Sequence, residues 1–287
     1  MRSELLLQVI WDINPDIFTI PILNHPVRWY GLLFACAFVC SWVMMGKVYK
    51  LELRPEKYLD ILAMYIIGGT IIGARLGHCL FYAPLHYLTH PLEFLYIWEG
   101  GLASHGAAIG IIIAMILYCR KANESRWWLF DRITLVVPLS GMFIRIGNLM
   151  NSEIIGKPTT LSWGFKFPGS SEDQLLMAIH GIKAVPARHP AQLYEAFFCL
   201  LLFLLMYFLW KRKRKSLPPG FTFGLFCTLL FTFRFCIEFL KEAQEKWEEK
   251  IDLDMGQNLS IPFIIGGICI MYYSHRKEKK LRGDITT

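Results

Sequence analysis

Two arginines lie inside long apolar stretches of this sequence. Arg145 lies in the run Ile133–Met150, and Arg234 lies in the run Phe221–Leu240. Both runs are long enough to cross a bilayer, where an arginine costs roughly 2.5–3.5 kcal/mol on insertion scales. Such a charge is retained when an anion pairs with it or when it has a function. A guanidinium is planar and binds a phosphate through two parallel hydrogen bonds, so the expected chemistry is phosphate recognition.

The composition places these arginines in an integral membrane protein. The 287-residue chain is 54% hydrophobic and only 18% charged, with a mean hydropathy of +0.39, whereas soluble domains carry about 25% charged residues. Its apolar residues form blocks without helical or strand periodicity, as in segments that are apolar on all sides. We therefore predict an all-α, polytopic membrane protein. The seven predicted transmembrane helices cover about 29–48, 58–82, 103–119, 128–149, 191–210, 220–240 and 258–274.

The loops predict the orientation of these helices. Loops rich in Lys and Arg alternate with loops that are poor in them, and basic loops stay in the cytoplasm. The N-terminus is therefore expected outside and the C-terminus in the cytoplasm. The net charge of +7 then reflects topology and contact with lipid surfaces, and we expect no nucleic-acid partner.

The segment 151–188, between spans four and five, is too polar to cross a membrane. We predict that it forms a small subdomain on the outer side, with a short helix near Leu175–Ile179, inserted into a single membrane domain that covers 1–287. A loop of this length is usually functional. We expect it to cover a site and to meet a substrate, and a solvated connector is the alternative that stays open.

The eight cysteines of the chain all lie in the predicted spans or at their ends. They show neither CxxC nor a Cys/His ligand spacing, so we interpret them as small buried hydrophobic residues. We expect no disulfide framework, no metal site and no cofactor.

Polar residues of six predicted spans fall at one depth, in the outer half of the membrane, where lipid headgroups and upper acyl chains lie. In three of these helices two polar residues are three or four positions apart and share a face. An anionic phospholipid is therefore the expected ligand. A structural explanation stays open, in which Arg234 pairs with Glu238 and Arg75 extends to the interface. The residues in this layer are Arg28, Tyr30, Arg75, His78, His105, Arg145, Asn148, His189, Gln192, Tyr194, Glu195, Arg234 and Glu238.

Four short motifs occur in order along the chain. They are a GGxxxHG-like segment at 100–106, an RxGNxxNxE segment at 145–153, an HPxQLYE segment at 189–195 and an RFxxEF segment at 234–239. This ordered set resembles the bacterial prolipoprotein diacylglyceryl transferase family. The chain departs from the family pattern at Ile144, where a glycine is usual, and at Lys241-Glu242-Ala243-Gln244, where the family usually has Arg-Glu-Pro-Asp.

The resemblance implies a transferase of the bacterial inner membrane, with seven spans, a periplasmic N-terminus and a periplasmic subdomain. Members of the family move the sn-1,2-diacylglyceryl group of phosphatidylglycerol to the lipobox cysteine in the signal peptide of a prolipoprotein. A thioether forms and glycerol 1-phosphate leaves, which is the first step of lipoprotein maturation. The alternative is an anionic-phospholipid transporter or flippase. Such a protein would have polar groups in both membrane halves and often internal repeats, and the sequence shows neither.

The same resemblance suggests roles for the residues of the polar layer. Arg145 and Arg234 would bind the phosphate and stabilise it as it leaves, and His105 would take the proton of the thiol. A structural hydrogen bond is the alternative for His105. Glu195 is expected to be structural. The other expected substrate-binding residues, which hold the headgroup or orient the arginines, are Tyr30, Arg75, Asn148, Glu153 and Glu238.

Overall fold

The computed structural model describes residues 8–21, 25–81, 84–96, 101, 103–214, 216–242 and 254–283. The helices in these residues are α1 (Trp29–Leu51), α2 (Lys57–Phe81), α3 (Pro84–Thr89), α4 (Ser104–Ala122), α5 (Arg126–Met150), α6 (Gln174–His180), α7 (Ala191–Lys213), α8 (Phe221–Glu238) and α9 (Met255–Gly283). Short strands are β1 (Val9–Ile10), β2 (Asp16–Ile20), β3 (His25–Arg28) and β4 (Phe165–Lys166).

Six helices are long and apolar enough to cross a membrane, namely α1, α2, α4, α5, α7 and α8. This confirms a polytopic helical membrane protein, and the helices begin and end within a few residues of the predicted spans. The predicted seventh span, 258–274, is also helical, within α9. However, α9 is not among the six that the described residues provide. The count of seven spans is not confirmed.

The chain divides into two compact units. The smaller unit is Trp42–Arg132, and the larger unit combines Met1–Ser41 with Ile133–Thr287. The unit boundaries fall within α1 and α5. The single membrane domain over 1–287 stays a prediction.

Glycines let α2 and α4 approach closely in the smaller unit. A Cβ at Gly77 would lie 2.7 Å from the Cα of Gly106, and a Cβ at Gly110 would lie 2.9 Å from the Cα of Gly73. Such separations are shorter than real Cβ atoms tolerate, so the two backbones are in direct contact. Helices in lipid associate through close packing of this kind, since burial from water contributes nothing between them there.

We expect the substitution Gly110→Leu to separate α2 from α4. The atoms that its Cβ would meet are backbone atoms of Gly69 and Gly73, which cannot rotate away. Overpacking of this kind typically costs about 1–3 kcal/mol. The control is Gly68→Leu on α2, because no atom lies within 4 Å of a Cβ there. Thermal unfolding in detergent should show a lower midpoint for Gly110→Leu alone, and equal midpoints would contradict the packing role.

In the larger unit, aromatic stacking and glycine contacts bring α7, α8 and α9 together. Phe198 of α7 stacks on Phe233 of α8 with ring centroids 3.9 Å apart. Gly224 of α8 meets α9, where its Cβ would lie 2.7 Å from the carbonyl oxygen of Gly267. Because Phe233 adjoins Arg234 in sequence, this packing positions the last turns of α8 beside the first turns of α7.

The segment that follows α5 is hydrogen-bonded to residues just before α7 and just after α8. Gly156 N–H donates to the carbonyl of His189 at 3.0 Å, and Lys157 N–H donates to the carbonyl of Leu240 at 2.8 Å. Gly156 also pairs with Lys241 in an isolated antiparallel bridge. A Cβ at Gly156 would lie 2.5 Å from the His189 oxygen, so only glycine fits at this point. The backbone of Lys241 is therefore held in place.

Residues 151–188 contain the short helix that the sequence predicts, since α6 spans Gln174–His180. The strands were not predicted. β1 pairs in parallel with β4, although about 150 residues of chain separate them. Near this pair, Leu149, Ile155 and Phe167 form a buried cluster. The outer location of this segment stays a prediction.

A buried ion pair joins the middle of this segment to its end. Arg188 donates from Nε and Nη2 to the carboxylate of Asp173, at 2.6 and 2.7 Å. Burial alone would lower the pKa of Arg188, but the hydrogen bonds and negative charges of Asp173 and Glu242 outweigh it and raise that pKa. Arg188 therefore stays protonated, and the carboxylate of Asp173 compensates its buried charge.

We expect Asp173→Asn to destabilise the larger unit by about 3–5 kcal/mol, because it leaves a buried charge without its main partner. The Asp173 side chain is 0% exposed, whereas the pair of Asp16 with Arg28 is exposed. Asp16→Asn is therefore the matched control, since exposed pairs contribute at most about 1 kcal/mol. Denaturant unfolding compares the two variants. A loss for Asp16→Asn that equals the loss for Asp173→Asn would contradict this account.

Candidate functional site

Five charged side chains of the larger unit form a continuous series of ion pairs, which we call the ion-pair chain. Arg145 Nε lies 3.2 Å from Glu195 Oε2, and Glu195 Oε1 lies 3.8 Å from Lys241 Nζ. Lys241 Nζ lies 3.0 Å from Glu238 Oε2, and Glu238 Oε1 lies 3.6 Å from Arg234 Nη2. The two arginines that the sequence singled out are therefore the two ends of one charged assembly.

The ion-pair chain carries an excess of positive charge. Three cations and two carboxylates leave one net positive charge. Side-chain exposure is 3% for Lys241, 7% for Glu195 and 10% for Glu238, but 21% for Arg145 and 40% for Arg234. The buried lysine thus compensates one of the two buried carboxylates, and the partly exposed arginines at the ends compensate the other and keep donors available. This arrangement suits an anion that contacts both guanidiniums.

Three helix ends supply the ion-pair chain. Arg145 lies in the last turns of α5, Glu195 in the second turn of α7 and Arg234 near the end of α8. The carboxylate of Glu238 packs on α9 at Gly256, where a Cβ would lie 2.8 Å from Glu238 Cδ. A side chain at position 256 would displace this carboxylate from its present position.

A set of side-chain amides surrounds Glu153. Asn148 Nδ2 donates to Glu153 Oε2 at 3.3 Å, and Asn151 Nδ2 donates to Glu153 Oε1 at 3.1 Å. Gln192 Nε2 donates to the backbone oxygen of Glu153 at 2.6 Å. Among the described residues, Glu153 therefore binds amides and forms no ion pair with an arginine, although it was expected to orient one.

Several buried acceptors next to these groups lack a donor. Asn148 Oδ1, Asn151 Oδ1, Gln192 Oε1 and Glu195 Oε2 are buried and have no hydrogen-bond partner among the described residues. The contact of Glu195 with Arg145 is therefore an ion pair by distance, without hydrogen-bond geometry. A buried acceptor without a donor costs about 1–3 kcal/mol. A ligand that brings hydroxyl groups would satisfy such acceptors.

Tyr30, at the start of α1, lies against the end of α5. A Cβ at Gly147 would lie 2.9 Å from Tyr30 Cδ2, so the absence of a side chain there makes room for the ring. Gly147 is two positions after Arg145. The structure thus brings Tyr30, Arg145, Asn148, Glu153, Arg234 and Glu238, all expected from the sequence, into the larger unit.

His105 and Arg75 belong to the smaller unit, and their convergence with the ion-pair chain stays a prediction. The His105 side chain is exposed, at the start of α4. Arg75 is 3% exposed and donates to the carbonyls of Phe94 (2.9 Å), Gly101 (3.3 Å) and Glu93. These contacts favour a structural role for Arg75, and its contact with lipid also stays a prediction.

Sequence reasoning missed Lys241 as a site residue, and it assigned Glu195 to structure alone. Lys241 follows α8 in a non-helical segment, where no periodicity marks it. The available signal was that it occupies a position where the resembled family also has a basic residue. Glu195 is recognisable only when α7 is packed beside α5, because its partner Arg145 is 50 positions away.

Comparison with known proteins identifies the family of this chain. A model of the prolipoprotein diacylglyceryl transferase family matches residues 15–273. The chain is 44% identical over 276 residues to the phosphatidylglycerol–prolipoprotein diacylglyceryl transferase of Tolumonas auensis, covering 95% of this chain and 100% of that protein. It is 42% identical over 288 residues to the protein of the same name from Bacteroides fragilis, covering 96% and 99%. This chain therefore belongs to the prolipoprotein diacylglyceryl transferase family.

Proposed function

We propose that this protein transfers the sn-1,2-diacylglyceryl group of phosphatidylglycerol to the lipobox cysteine of prolipoproteins. The names of its relatives in two bacteria support both substrates. The observation that carries the proposal is the ion-pair chain, with Arg145 and Arg234 at its two ends. Its net positive charge and partly exposed guanidiniums suit the phosphodiester of an anionic lipid.

The reaction is a displacement at the glyceryl carbon that bears the phosphate. The thiolate sulfur forms a bond to this carbon while the carbon–oxygen bond to phosphate breaks. The bonding electron pair leaves with glycerol 1-phosphate, and the thiol proton passes to a base. Negative charge grows on the phosphate in a medium of low dielectric, where fixed donors are most effective. Arg145 and Arg234 are the donors that we assign to this charge.

The buried lysine explains how the arginines become available to the phosphate. Without a ligand, Glu195 and Glu238 share the charges of Lys241 and of the arginines. When a phosphate binds, Arg145 and Arg234 donate to it while they stay near their carboxylates, so that the three cations of the ion-pair chain balance two carboxylates and one phosphate. The missing hydrogen bond between Arg145 and Glu195 makes this exchange less costly, since only an ion pair must be weakened.

The unpaired amide oxygens fit the headgroup of phosphatidylglycerol. This headgroup ends in a glycerol with two hydroxyl donors, and the oxygens of Asn148, Asn151 and Gln192 are buried acceptors without donors. Glu153 fixes the asparagine amides, so that their oxygens face away from it. We assign headgroup recognition to this set, with Tyr30 beside it.

We place the enzyme in the bacterial inner membrane, with its N-terminus in the periplasm and its C-terminus in the cytoplasm. The alternation of basic loops supports this orientation. In it, the segment 151–188 is periplasmic, where the signal peptide of a prolipoprotein becomes accessible. Membrane lipids surround the spans and supply phosphatidylglycerol laterally.

His105 is the base that we assign to the thiol, because an imidazole exchanges a proton near neutral pH. We expect His105→Gln to lower the turnover rate about 10²–10⁴-fold, as the loss of a general base does. The pH–rate profile of the wild type should have an acid limb that this variant lacks. His180→Gln, an exposed histidine on α6, is the control. An unchanged profile with a modest rate loss would show that His105 abstracts no proton.

The function itself is tested with purified protein, phosphatidylglycerol and a synthetic lipobox peptide. We expect a peptide whose mass increases by one diacylglyceryl group, together with release of glycerol 1-phosphate. A peptide with serine in place of its cysteine should stay unmodified. If the protein instead moved labelled phosphatidylglycerol between leaflets and lipidated no peptide, the flippase alternative would replace this proposal.

A further inference from the structure

The segment after α2 carries a cluster of three potential metal ligands outside the site described above. His86 and His90 are four positions apart, and Glu93 follows three positions later. Ligand atoms of the three residues all lie within 4.8 Å of one another. The rings of His86 and His90 are stacked with centroids 5.1 Å apart, and His86 Nε2 lies 2.6 Å from Glu93 Oε2. The two histidines are exposed, so an ion can reach them from solvent.

Backbone hydrogen bonds hold these three residues in one compact turn. His90 N–H donates to the carbonyl of His86 at 2.9 Å, and Glu93 N–H donates to the carbonyl of His90 at 3.1 Å. Arg75 anchors the turn from α2 through the carbonyls of Glu93 and Phe94. The ligand atoms are therefore close together before any ion arrives, which lowers the entropy cost of binding.

The donor set fits a divalent transition-metal ion. Two imidazoles and one carboxylate are a set that Zn²⁺ accepts in three-ligand sites, where water takes the fourth position. Tetrahedral bonds of about 2.0–2.1 Å place ligand atoms about 3.3 Å apart. This spacing falls between the 2.6 Å contact of His86 with Glu93 and the 4.8 Å limit of the cluster. Because the side chains are exposed, small rotations suffice to reach it.

We propose that His86, His90 and Glu93 form a binding site for Zn²⁺. The bound ion joins α3 to the 3₁₀ turn Pro91–Leu95 and leaves one coordination position for water. The absence of a metal site was a prediction from cysteine spacing, and this histidine cluster argues against it. The proposed Zn²⁺ site is independent of the transferase reaction, so it is testable in a catalytically inactive protein as well.

The test measures Zn²⁺ binding to the full chain, purified in detergent without a polyhistidine tag. Titration calorimetry and metal analysis after dialysis should give one tightly bound ion per wild-type chain. We expect His86→Ala and His90→Ala each to weaken binding at least tenfold, and the double variant to lose the ion. Glu93→Gln keeps the shape of the side chain, and it should also weaken binding. His180→Ala, which removes an exposed histidine outside the cluster, should bind like the wild type.

Two further readouts separate coordination from unfolding. Without metal, the wild type and the double variant should unfold at nearly the same temperature, because the pair of His86 with Glu93 is exposed and such pairs contribute little to stability. With Zn²⁺, only the wild type should gain thermal stability, and Co²⁺ should give visible tetrahedral bands in the wild type alone. Equal Zn²⁺ binding by the wild type and the double variant, or no ion retained by the wild type, would overturn the proposal.

Discussion

Replacing Arg145 or Arg234 with alanine is expected to reduce thioether formation about 10²–10³-fold or more, because each substitution removes a fixed donor to the leaving phosphate. The two residues are the opposite, partly exposed ends of the ion-pair chain, so neither can take over the contacts of the other. The rate of lipobox peptide modification in detergent or nanodiscs measures this effect.

Matched variants separate the loss of a donor from the loss of a charge. Arg145→Lys keeps the charge but loses the planar fork, so we expect it to stay well below the wild-type rate. Arg212 lies at the end of α7, whereas the site residue Glu195 lies near its start. Arg212→Ala therefore removes an arginine outside the site and should leave the rate unchanged. Near-normal turnover by Arg145→Ala or Arg234→Ala would show that the replaced arginine does not bind the phosphate.

Replacing Lys241 with methionine is expected to destabilise the protein by about 3–5 kcal/mol, the usual cost when one partner of a buried ion pair is removed. The Lys241 side chain is 3% exposed and lies between Glu195 and Glu238. Without its charge, two buried carboxylates depend on the arginines at the ends. Those arginines then have fewer donors available to the phosphate, so activity should fall together with stability.

A second substitution tests whether charge is the cause. Combining Lys241→Met with Glu238→Gln removes one carboxylate along with the lysine, and we expect unfolding in detergent to shift back toward the wild type. Lys241→Arg keeps the charge and should be tolerated better than methionine. If the double variant were as unstable as the sum of the two single variants, Lys241 would not act through these carboxylates.

The spans were predictable because a helix in lipid must be apolar on all sides, which is a local property of the sequence. Arg145 and Arg234 were predictable for the same reason, since their charge contrasts with the apolar runs around them. The link between them was not predictable. It depends on Glu195 and Lys241, which contact the other charged residues only when α5, α7 and α8 are packed side by side. The pairing of β1 with β4 likewise depends on contacts distant in sequence.

The antiparallel bridge between Gly156 and Lys241 ties the backbone of the buried lysine to the segment in which we expect the prolipoprotein to dock. A peptide that displaces this segment would also move Lys241. The ion pairs of the two carboxylates with the arginines would then change. Arrival of the acceptor would then prepare the donor lipid for cleavage. Such mechanical coupling would discourage wasteful hydrolysis of phosphatidylglycerol while no thiol is present.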